Sequence, residues 1–103
     1  FNIGNLKDWD VSKVTHFGEK IDESGYVGGT FQNAGRNSST FYIGDLSGWN
    51  TSSAVSMFHM FQYAGENASY SLNLSNWNVS KVTSYTDFNT GVTSKITAPK
   101  WVN

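Results

Sequence analysis

LKDWDVSKVT (Leu6–Thr15), LSGWNTSSAV (Leu46–Val55) and LSNWNVSKVT (Leu74–Thr83) align without a gap. The first and third differ only at Lys7/Ser75, Asp8/Asn76 and Asp10/Asn78. Self-similarity of this kind is the mark of stacked repeats, in which no unit buries its own apolar face and neighbours must supply the other half of the core. It also supplies an internal control. A residue that recurs in every copy is first a packing residue; a residue found in one copy is free for another task.

Trp9, Trp49, Trp77 and Trp101 mark the copies at spacings of 40, 28 and 24 residues. The long first spacing reflects an insertion. Phe17 aligns with Met57, and Phe31-Gln32-Asn33-Ala34-Gly35 with Phe61-Gln62-Tyr63-Ala64-Gly65, leaving ten extra residues within Gly18–Gly28. The 103 residues therefore divide into units of about 1–40, 41–70 and 71–94 with a partial unit at 95–103, and read as one segment of a longer array.

Each unit pairs a short apolar stretch with a helix-like pattern. Ile3-x-x-Leu6, Tyr42-Ile43-x-x-Leu46, Leu72-x-Leu74 and Ile96-x-Ala98 read as strands. Ser12, Ser52 or Ser53, and Ser80 stand where helix N-caps belong. Val55, Phe58, Phe61 and Tyr63-Ala64 approach a helical stripe that ends at Gly65. Val82, Tyr85 and Phe88 repeat it more weakly. The expected architecture is an α/β repeat: a leucine-rich-repeat-like solenoid with a short strand and a short helix in each 24–28-residue unit.

Composition narrows the function. Charged residues are 15% of the chain against roughly 25% in ordinary soluble domains. Ser, Thr and Asn make up about a third, and the formal net charge is −1. Arg36 is the only arginine, so the grouped cations that neutralise nucleic-acid phosphates are missing. No apolar run reaches the length of a membrane span, so insertion by this segment is not expected. With no Cys, disulfides, thiolate catalysis and thiolate-bound zinc are excluded.

Leu46-Ser-Gly-Trp-Asn-Thr-Ser-Ser-Ala-Val-Ser-Met-Phe-His-Met-Phe61 closely follows the pattern L-x-x-W-[DN]-[TV]-S-x-V-T-x-M-x-x-M-F. Leu74–Thr83 matches its first ten positions. Leu6–Thr15 matches with Phe17 at the first Met position, and Trp101 sits in a truncated copy with Ala98 at the Leu position. These residues make the chain similar to the BspA-like (DUF285, Mycoplasma-lipoprotein-type) repeats of bacterial surface proteins. The resemblance implies a leucine-rich-repeat-like solenoid on the outer face of a bacterium, often within a long, anchored, adhesin-like protein. It implies no catalytic residues and no cofactor, and it does not name the ligand.

Candidate sites are few. Asp8, Asp10, Ser12 and Glu19 have the spacing of a calcium loop. The equivalent Gly48, Asn50, Ser52 and Asn76, Asn78, Ser80 mark it as a turn pattern made acidic once, so no metal site is expected. His16 and His59 lack zinc-motif spacing, and His59 is expected to face water. Fourteen Ser residues include no G-x-S-x-G elbow, and the acids lack the setting of a glycosidase pair. The four Trp are expected to form a core ladder rather than a sugar platform. The stretch without a counterpart, Gly18–Gly28, is where a scaffold would carry binding function, and Glu19, Lys20, Asp22, Glu23 and Tyr26 are its candidate interaction residues.

The expected function is thus a non-enzymatic, surface-exposed module for structural presentation and adhesion. Its partners would be an extracellular protein or glycan and the neighbouring repeats of its parent chain. The alternative is a carbohydrate-binding module using exposed aromatics.

Overall fold

The computed structural model describes residues 1–20 and 26–101. Among the described residues five short strands form: β1 (His16–Lys20), β2 (Tyr26–Gly29), β3 (Ser56–Met57), β4 (Leu72–Asn73) and β5 (Ile96–Thr97). One sheet has the order β2-β1-β3 and the other pairs β4 with β5. β1 is antiparallel to β2 and parallel to β3, β4 is parallel to β5, and parallel bridges join Asn2 to Tyr42 and Ser56 to Ser84.

No helix forms among the described residues, which overturns the α/β leucine-rich-repeat-like solenoid with one helix per unit. The reason lies in the backbone of the expected helix at Val55–Ala64. His59 and Tyr63 take φ of 56° and 59°, in the left-handed region, and break any right-handed helix there. Odd-numbered amides leave the segment instead of bonding within it. Met57, His59, Phe61 and Tyr63 donate to the carbonyls of Ser84, Thr86, Phe88 and Thr90 at 2.8–3.0 Å. Even-numbered amides close local turns: Met60 to Met57 at 3.2 Å, Gln62 to His59 at 3.2 Å and Ala64 to Phe61 at 2.9 Å. The result is a ribbon of turns pinned to the next copy. The serines read as helix caps are turn residues as well, with Asp10, Asn50 and Asn78 each accepting from the amide of the serine two residues on, at 3.0–3.1 Å.

The expected strands are found only in part. Leu72–Asn73 and Ile96–Thr97 pair in register, whereas the stretches around Ile3 and Tyr42 contribute the single Asn2–Tyr42 bridge and three backbone hydrogen bonds.

The core is one cluster of apolar side chains, with aromatic rows running from copy to copy. Phe17 packs on Trp49 at 6.0 Å and Trp49 on Trp77 at 6.1 Å, the last pair within 6° of parallel. Phe31, Phe61 and Phe88 form a second row at 5.2 and 5.4 Å. Phe1, Phe41 and Tyr70 form a third at 5.5 and 4.7 Å. Offset and edge contacts of this kind add to the burial of large rings. Phe61, Leu46, Leu74, Met57 and Met60 are fully buried.

The Trp ladder expected from sequence holds at Trp49 and Trp77, which are buried. Trp101 is half-buried and stacks on Tyr85 at 4.2 Å. Trp9 departs from it, with 60% of its surface exposed.

Candidate functional site

The apolar stretches of the copies pair unevenly, and the unevenness makes a site. Copies one and two are joined by Tyr42 N–H to the Phe1 carbonyl at 2.9 Å, Ile3 N–H to the Tyr42 carbonyl at 3.3 Å and Leu6 N–H to the Ile43 carbonyl at 2.9 Å. Copies three and four are joined by Leu72 N–H to the Lys95 carbonyl at 2.8 Å and Leu74 N–H to the Thr97 carbonyl at 2.9 Å. Among the described residues no backbone hydrogen bond joins Phe41–Asp45 to Tyr70–Asn73.

The sequence explains the break. Phe1 to Leu6 and Phe41 to Leu46 have equal lengths, but Tyr70 to Leu74 is one residue shorter. Leu72-Asn73-Leu74 stands opposite Ile43-Gly44-Asp45-Leu46, and Gly44 is the extra residue. At φ +90° Gly44 takes a conformation that L side chains rarely adopt, and a Cβ there would collide with the Asn5 side chain.

The two segments stay tied at both ends. At one end Phe41 packs on Tyr70, whose hydroxyl donates to the Ala64 carbonyl at 2.7 Å. Burial pushes the Tyr70 phenol pKa up, which keeps that hydroxyl a donor. At the other end the Trp77 indole donates to the Leu46 carbonyl at 2.8 Å. Between the ties lies a groove of about 550 Å³, lined chiefly by Tyr42, Asp45, Ser47, Ser71, Asn73 and Asn76.

The lining sets the apolar Phe41, Ile43 and Leu72 among neutral hydrogen-bonding groups and carries one carboxylate. Tyr42 is 47% exposed between the buried Phe41 and Ile43, as strand alternation requires. Tyr42 spends both backbone groups on copy one, so the Phe41 carbonyl and Ile43 amide face the groove, and the Ser71 carbonyl and Asn73 amide face it from the other side. Asp45 and Asn73 accept from the Ser47 and Ser75 amides, each at 3.0 Å. The Ser47 backbone N–H, then its hydroxyl, holds the Asp45 carboxyl below the usual carboxylate range. No Lys or Arg lines the groove.

The sequence-based candidates lie elsewhere. Asp22 and Glu23 fall outside the described residues. Lys20 and Tyr26 pair with each other across β1 and β2, at an irregularity in register. Glu19 is exposed, 3.4 Å from His16 Nε2, on a second hollow of about 300 Å³ bounded also by Gly28 and Thr30. The inserted segment thus begins and ends as a hairpin docked on copy two: a Cβ at Gly18 would collide with the Phe58 carbonyl, and one at Gly29 with the His59 carbonyl.

His59 does not face water. It is buried, its ring lies 3.9 Å from that of Phe58, and Nε2 is 3.2 Å from Asp87 Oδ2. The carboxylate is 28 residues away in sequence, which no local spacing signals. No group of three or more metal-ligating side chains occurs among the described residues. Nor does any helix among them have the length and apolarity to cross a membrane.

The groove was not among the sequence-based candidates, although its signal is present. The offset between copies two and three is 29 residues at Phe41/Tyr70 and 28 at Leu46/Leu74, while over the same stretch copies one and two keep 40 and copies three and four keep 24.

The chain belongs to the DUF285 family, described as a Mycoplasma protein of unknown function, whose model matches residues 1–101. No curated protein and no solved structure matches it.

Proposed function

We propose that this chain is a non-catalytic interaction module of a surface-exposed bacterial protein, serving presentation and adhesion, with its ligand held in the groove between copies two and three. The observation that carries the reading is the broken ladder between Phe41–Asp45 and Tyr70–Asn73, which leaves backbone donors and acceptors open beside an exposed Tyr42. Unpaired strand edges are adhesive, and a hollow of this volume falls within the roughly 300–1,000 Å³ of ligand sites. A neutral surface rich in hydroxyls and amides supports an extracellular setting. The lining has one carboxylate and neither His nor Lys, so it lacks the paired acid and base of a hydrolase.

The reading is tested by presenting the immobilised protein with arrays of extracellular-matrix proteins and glycans, alongside the Tyr42→Ala variant. Capture that falls at least tenfold in the variant supports it. Capture unaffected by the substitution, or turnover of a captured ligand, overturns it. Carbohydrate binding is a second reading, favoured by the exposure of Tyr42 rather than by the tryptophans, since Trp49 and Trp77 are buried.

A further inference from the structure

We infer that the groove between Phe41–Ser47 and Tyr70–Asn76 takes an uncharged sugar ring, seated against Tyr42. The inference rests on the interaction reading above and names the ligand class of that site.

Three observations select the class. The first is shape. An inserted peptide strand needs about 4.8 Å to the strand on each side along its whole length. Here the segments are held together at both ends, by the Phe41–Tyr70 ring contact at 4.7 Å and the Trp77–Leu46 hydrogen bond at 2.8 Å. The open stretch, Tyr42–Asp45, is only about four residues, or roughly 13 Å. It accepts a compact ligand and stops an extended one.

The second is charge. No cation lines the groove, and the one ionisable carboxylate, on Asp45, is held ionised by the Ser47 amide and hydroxyl. Lys7 is near enough to act on Asp45 but is not among the lining residues, so phosphates, sulfated sugars and sialylated sugars would meet a like charge with no cation inside the groove.

The third is the pattern of polar groups. The facing backbone offers two acceptors, the Phe41 and Ser71 carbonyls, and two donors, the Ile43 and Asn73 amides. Asn76, Ser47 and Ser71 add exposed amides and hydroxyls. A sugar hydroxyl is at once a donor and an acceptor, so a ring of vicinal hydroxyls satisfies such a mixed set. The apolar C–H face of the same ring covers the half-exposed phenol ring of Tyr42, as aromatic side chains with a polar rim allow.

The test is amide chemical-shift titration of the whole chain. The probes are the neutral oligosaccharides maltotriose, cellotriose and tri-N-acetylchitotriose, a heparin-derived hexasaccharide, and an uncharged Ser/Thr-rich decapeptide. The expected result is saturable shifts confined to Tyr42–Ser47 and Ser71–Asn76 with at least one neutral sugar, and none with the hexasaccharide. Tyr42→Ala should weaken that binding at least tenfold with the melting temperature kept, and Asn76→Ala, an exposed position, should weaken it by a smaller factor. Groove shifts from the peptide or the hexasaccharide alone would overturn the sugar assignment while leaving the interaction reading in place. No groove shift from any probe, with array capture insensitive to Tyr42→Ala, would overturn both.

Discussion

The indole N–H of Trp77 donates to the carbonyl of Leu46 at 2.8 Å, and Trp49 repeats the bond to Leu6 at 2.9 Å. Trp49 and Trp77 thus each stitch their copy to the Leu at the start of the preceding ten-residue motif. The partner is a backbone atom, so the bond makes no demand on side-chain identity in the preceding copy. It requires only that the chain bend in the same way there.

Replacing either indole by phenyl keeps an aromatic ring and removes the bond. Trp77→Phe and Trp49→Phe should each destabilise the protein by about 2 kcal/mol, combining a lost buried hydrogen bond with a partly unfilled site. Trp9→Phe, at a ring 60% exposed, should stay within about 0.5 kcal/mol. Urea unfolding of the three variants measures the contrast, and equal losses at all three would contradict it.

The groove lies where the stretch Phe41–Leu46 of copy two is one residue longer than Tyr70–Leu74 opposite it. Deleting Gly4 and Gly44 together gives the Phe1–Leu6 and Phe41–Leu46 stretches the length of Tyr70–Leu74 and should let Ile43 pair with Leu72. Cross-strand nuclear Overhauser contacts between these segments should then appear, and ligand capture should be lost while the fold survives. Contacts that stay absent would show that something other than chain length holds the segments apart.

Close backbone approach makes two glycines irreplaceable. Gly18→Ala and Gly29→Ala place a Cβ on the backbone at Phe58 and His59, and each should cost about 3 kcal/mol or more. Gly48→Ala meets nothing within 4 Å and should change stability by less than about 0.5 kcal/mol. Thermal melting of these variants decides whether the hairpin is docked as described.

Acid should weaken the turn at Asp45. Its folded carboxyl titrates below the unfolded value because the Ser47 amide and hydroxyl bond the charged form. That contribution is present above the unfolded pKa, near 3.8, and is lost as pH falls through the lower folded value. Asp10 behaves alike through the Ser12 hydroxyl and amide. Asn already builds the equivalent turns at Asn73 and Asn78. Asp45→Asn with Asp10→Asn should therefore keep stability at neutral pH and flatten its fall below about pH 4. A double variant as acid-sensitive as the parent would place that sensitivity elsewhere.

The buried Trp49 and Trp77 and the turn role of Asp10, Asn50 and Asn78 were legible from the alignment of the copies alone. The helix was not. Val55, Phe58 and Phe61 are spaced for one, yet that spacing also suits a ribbon of turns, and apolar periodicity over so few residues does not separate the two. What decides is the destination of the amides of His59 and Tyr63, which is tertiary. The 59–87 pairing is hidden for the same reason. The groove was legible in principle, through the shift in offset between Phe41/Tyr70 and Leu46/Leu74, but it emerges only when the copies are aligned for their lengths as well as their shared letters.

The ribbon of turns also gives the molecule an electrical direction. The peptide unit Met60–Phe61 accepts from Phe31 of copy one and donates to Phe88 of copy three, and Gln62–Tyr63 does the same between Asn33 and Thr90. Two files of peptide dipoles therefore run head to tail across the copies, as they do along a helix axis. Bonds in such files polarise one another, so breaking one weakens the rest. In a chain with a net charge of −1 these files have unlike poles, carbonyl-negative at copy one and amide-positive at copy three.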